Sequence, residues 1–65
     1  MSKFTKMCIN VDIEEAIEML KQMNSAILDN DAKGAEHFLD RINDLIMQIE
    51  DGMSELSSEL LYDEA

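Results

Sequence analysis

Between Ala35 and Leu61 the apolar residues recur at Phe38, Leu39, Ile42, Leu45, Ile46, Ile49, Met53, Leu56 and Leu60. At about 100° per residue they share one stripe roughly 120° wide, the pattern of an amphipathic helix. Asp40, Asp44, Asp51 and Glu55 occupy the opposite side. A helix that is oily on one side and acidic on the other must lay its stripe against something, and this requirement constrains the fold more than any other feature.

The remainder of the 65 residues supplies the cover. Ile13, Ala16, Ile17, Leu20, Met23, Ile27 and Leu28 make a second helical stripe, with Asn24 near its middle. Asp12 followed by Glu15 reads as a capping pair, which starts this helix at Ile13. Phe4, Met7, Cys8 and Val11 also have helical spacing, but on a continuous helix they lie opposite the stripe that begins at Ile13. The chain is therefore expected to change direction or conformation near Asn10–Asp12, leaving residues 1–11 as an arm, either a short helix or extended. Asp29-Asn30-Asp31 reads as a turn, with Asp31 as the N-cap of the next helix. So short a connection sets the two helices antiparallel.

The expected fold is all-α: an antiparallel helical hairpin over residues 12–65, with helix one about 13–28 and helix two about 32–62. Gly52 is a weak point in the second helix, because Asp51-Gly52 also suits a helix end. At 1.5 Å per residue the first stripe spans about 23 Å and the second about 33 Å. About 10 Å of apolar surface around Met53, Leu56 and Leu60 is then left over. A chain this short buries only about 60% of its unfolded surface, so a supplement is expected. Cys8 is the single cysteine and His37 the single histidine, which leaves no internal disulfide and no structural zinc set. A homodimer is the expected supplement, two hairpins pairing into a four-helix bundle through Asn24, Ile42, Leu45, Ile49, Met53 and Leu56. Asn24 there is either a register-fixing polar pair or a partly exposed residue near the helix end.

Fifteen acids against five bases give a formal charge of −10. Direct binding to nucleic acid is not expected, since phosphates need Lys and Arg to displace counterions, and anionic membranes are disfavoured likewise. No apolar run reaches signal-peptide or membrane length, which points to a cytoplasmic protein. A basic protein surface would be attracted. The same acid also serves solubility.

The catalytic inventory is thin. Cys8 has no histidine near it in sequence and reads as an inert, half-buried thiol. His37 and Asp40 share a helix face without further ligands. Glu14-Glu15-Ala16-Ile17-Glu18 resembles the EExxE element of the all-α nucleotide pyrophosphatases related to MazG, which hold magnesium between helices. Their second element, ExxD, is replaced here by His37-x-x-Asp40. The run from Leu28 to Glu36, followed by Leu39, Arg41, Leu45 and Ile46, is similar in rhythm to the helical-hairpin chaperones of flagellar and type III export, which shield a substrate helix. Plasmid copy-control hairpins of the Rop type are similar in size and dimeric bundle, but they read RNA with basic helix faces that this chain lacks.

The function expected from these residues is non-enzymatic, without metal or cofactor. It is that of a small acidic regulator or inhibitor, of the kind phages and mobile elements encode, docking on a basic or apolar surface of a host protein. Asp40, Asp44, Asp51, Glu55 and Glu59 would present negative charge at steps of about 6 Å, as nucleic-acid mimics do, and Leu60, Leu61 and Tyr62 would anchor the contact. The alternatives are a chaperone or adaptor for a partner helix, a small-ligand sponge, and magnesium-dependent nucleotide hydrolysis.

Overall fold

The computed structural model describes the backbone of residues 2–64 and the side chains of residues 2–61. Two helices account for it: α1, Ser2–Leu28, and α2, Ala32–Glu64. They pack side by side as an antiparallel hairpin 53 Å long and only 14 × 11 Å in cross-section. The molecule is a single layer with one seam.

That seam follows a strict 3-4 rhythm on both helices. On α1 it runs through Thr5, Ile9, Asp12, Ala16, Met19, Met23 and Ala26, every one buried or half-buried. On α2 it runs through Ala35, Phe38, Ile42, Leu45, Ile49, Gly52, Leu56 and Glu59, again all buried or half-buried. Alternating steps of three and four are the spacing at which side chains of one helix enter holes on another. Lettered as heptads, Ile9 and Ile42 hold a positions, while Asp12 and Leu45 hold d positions. Leu45 is completely enclosed, and Ile9, Ala26 and Ile42 are nearly so.

The first helix therefore differs from the expectation. There is no arm and no change of direction near Asn10–Asp12; α1 is continuous from Ser2. Asp12 does not cap a helix but stands in the seam, half-buried. The expectation placed Ile13, Ile17 and Leu20 inside, whereas α1 turns several small or polar residues inward beside Ile9, Met19 and Met23. Thr5, Ala16 and Ala26 face α2, while Phe4, Val11, Ile13, Ile17 and Leu20 stay exposed. Once those side chains are not required in the core, nothing forces a break.

Helix two also continues through Gly52, and the reason lies in α1. A Cβ built on Gly52 would stand 2.7 Å from Cγ1 of Ile9, closer than carbon atoms pack. Glycine is required here by the approach of the opposite helix and does not end α2. The tail beyond Gly52 thus already lies along the leading segment of α1, so the expected 10 Å surplus on α2 does not exist as such.

The bend matches its reading. The amide N–H of Asp29, Asn30 and Asp31 donate to the carbonyls of Ser25, Ile27 and Ala26 at 3.0, 3.1 and 2.8 Å. The last two bonds form a Schellman closure, which satisfies carbonyls that the end of α1 leaves free. Asn30 holds the left-handed position at φ 60°, where asparagine is among the better-tolerated residues. Asp31 then caps α2: its Oδ1 accepts from the Gly34 amide at 2.9 Å, and its carbonyl accepts from the Ala35 amide at 3.0 Å. One residue closes the first helix and opens the second.

Candidate functional site

Two long sides flank the seam, and they differ in chemistry. In an antiparallel pair the two g rows run along one edge of the seam and the two e rows along the other. Here Nη2 of Arg41, a g position, donates to Oε2 of Glu15, also g, in a half-exposed ion pair. That contact fixes which edge is which.

On the g edge, α1 carries Glu15 and Glu18, and α2 carries Asp44, Asp51 and Glu55, all at g or the adjoining c positions. Nε2 of Gln22 donates to Oε1 of Glu18 at 3.3 Å along this edge. A shallow groove of about 290 Å³ lies beside Gly52, floored by Phe4 and Ile9 and lined by Asp12, Asp51 and Glu55. Nearer the bend, a second groove of about 310 Å³ is lined by Met19, Phe38, His37, Asp40, Arg41 and Asp44. His37 meets the edge of the Phe38 ring, with centroids 6.2 Å apart. This side offers carboxylates above patches of apolar floor.

On the e edge the rows are apolar. Ile13, Leu20 and Ile27 lie on α1 with Ile17 beside them, and Leu39, Ile46, Met53 and Leu60 recur every seven residues on α2. Each is exposed, and Ile27 is 54% so.

The residues singled out from sequence distribute over these surfaces. Asp40, Asp44, Asp51 and Glu55 are exposed, as an acidic row on α2 requires. Glu59 leaves that row: it is a seam residue, and its Oε2 is buried with no hydrogen-bond partner among the described residues. Leu60 and Leu61 are exposed, Leu61 the more so. The side chain of Tyr62 lies outside the described residues. The expected second-copy seam needs correction, because Ile42 and Leu45 are buried against α1 of their own chain, and Ile49 and Leu56 are half-buried in the same seam. Of that set only Asn24 and Met53 are exposed. Cys8 is exposed rather than half-buried. The EExxE-like run is dispersed: Glu15 is held by Arg41, Glu18 by Gln22, and Glu14 points elsewhere on α1.

Sequence reading missed the apolar side as a separate surface. The signal was present in the steps 13, 17, 20, 24 and 27, a second 3-4 series next to the first. Among the described residues no three His, Cys, Asp or Glu side chains are grouped to hold a metal ion, and no helix is long and apolar enough to cross a membrane. In comparisons with protein-family models, curated proteins and solved structures, none matches this chain.

Proposed function

We propose that this chain is a non-enzymatic, cytoplasmic protein-binding regulator that acts as a dimer and docks its acidic side on a basic surface of another protein. The observation that carries the reading is the one-sided placement of charge. Glu15, Glu18, Asp44, Asp51 and Glu55 crowd the g edge against the single base Arg41, while on the e edge the described acids, Glu36 and Glu50, are matched by Lys3 and Lys6. Charge needed only for solubility has no reason to be confined to one side. Confined to one side, it steers a cationic partner and fixes its orientation. The apolar floor at Phe4 and Ile9 beneath Asp12, Asp51 and Glu55 suits the stem and head of a partner arginine or lysine.

The test is charge reversal on that edge. The combined variant Asp44→Lys, Asp51→Lys and Glu55→Lys is expected to lose a captured partner that the wild-type chain retains in low salt and releases in high salt. Retention by the variant, or capture indifferent to salt, contradicts the reading.

A further inference from the structure

We infer that the e edge is covered by a second copy of the same hairpin, so that the working unit is a four-helix bundle with its two acidic sides facing outward. This rests on the dimeric part of the function proposed above and is independent of acidic docking.

Three observations select the occupant. The first is rhythm. Ile13, Ile17, Leu20, Asn24 and Ile27 repeat the 3-4 spacing of the internal seam, one strip further round α1, so what packs there is a helix.

The second is charge. Among the described side chains, the e and b rows that form this edge hold Lys3 and Lys6 against Glu36 and Glu50, a balance of zero in a chain of net −10. A basic partner gains little on a balanced strip, whereas two strongly acidic molecules meet at least cost where their acids are matched by bases. This edge is that place, and its opposite is not.

The third is area. The accessible surface is 5097 Å², whereas size scaling gives about 4200 Å² for a compact chain of 7.4 kDa. The excess of roughly 900 Å² is close to the ~800 Å² that each member of a stable complex buries. A single-layer hairpin exposes about one interface more than a folded chain of its mass, and the exposed e and b rows of α1, Ile13, Ile17, Leu20 and Ile27, offer a continuous apolar strip to seat it. An isologous pair would cover it on both copies at once.

The full chain is tested by light scattering over a wide concentration range, together with its circular dichroism. The wild type is expected at twice the 7.4 kDa chain mass. Ile17→Glu should raise the dissociation constant about 100-fold or more, because it places a carboxylate in the new seam. Phe4→Glu, on the other side of α1, should leave the mass unchanged. If Ile17→Glu unfolds, the milder Leu20→Ala decides: its melting temperature should fall and rise again with concentration, as mass action requires of a dimer. A fully helical wild-type monomer at ~100 μM overturns the inference, because complexes with interfaces of this size bind in about the micromolar range or tighter. So does a dimer that Phe4→Glu breaks and Ile17→Glu spares, or a Leu20→Ala variant whose melting is independent of concentration. A dimer whose charge-reversed form still captures the partner leaves the interface standing and removes only the docking reading.

Discussion

Gly52 shows how a residue whose helix propensity is poor can be the best one for its place. Replacing glycine by alanine inside a helix ordinarily gains about 1 kcal/mol. Here the added methyl meets the stiff, β-branched Ile9 at 2.7 Å, and overpacking of that kind costs about 1–3 kcal/mol. Gly52→Ala is therefore expected to lose about 1 kcal/mol in urea unfolding of the wild type, and to become neutral or stabilising in an Ile9→Ala background. Additive effects of the two substitutions would mean that the helices do not approach there. At the bend, Asn30 sits at φ 60°. Asn30→Gly should leave stability within about 0.5 kcal/mol, while Asn30→Val should lose about 1–2 kcal/mol, as left-handed backbone is costly for a branched side chain. The Arg41–Glu15 pair is half-exposed, so Glu15→Gln is expected to change stability by less than about 1 kcal/mol despite the contact.

At the scale of the helix, the sequence made some features plain and disguised others. The bend was legible because Asp29-Asn30-Asp31 combines a left-handed residue with a cap, and both work through local hydrogen bonds that need no partner. Asp31→Ala should accordingly lose about 1 kcal/mol of helix stability. The stripe of α2 was legible because Ile42, Leu45 and Ile49 are both large and internal. The seam of α1 was not. Apart from Ile9, its inward residues are threonine, aspartate, alanine and methionine, and Phe4, Ile13, Ile17 and Leu20 lie outside it. Size is a guide to burial only when a helix has one apolar face, and α1 has two. The same confusion assigned Ile42 and Leu45 to a second copy. Since Leu45 is wholly enclosed by its own chain, Leu45→Ala should lose about 2–5 kcal/mol. That loss should appear as unfolding and not as simple dissociation into folded monomers.

For the whole molecule the decisive quantity is the ratio of seam to surface. Two helices in one layer enclose few side chains, and small domains are marginal even when compact. The acidic side and the neutral apolar side divide the remaining surface between them, and each has chemistry suited to a different neighbour. The methionines report on this division without any substitution. Met19 and Met23 are half-buried in the internal seam, Met53 lies on the apolar edge, and Met7 and Met47 point outward from both. The rate of oxidation by dilute peroxide, read residue by residue at low and high protein concentration, follows the exposure of each sulfur. Met19 and Met23 are expected to react slowly throughout, Met7 and Met47 quickly throughout, and of these five Met53 alone to pass from quick to slow as concentration rises. Met53 reacting as fast as Met47 at every concentration, or Met23 reacting as fast as Met7, would contradict that division of the surface.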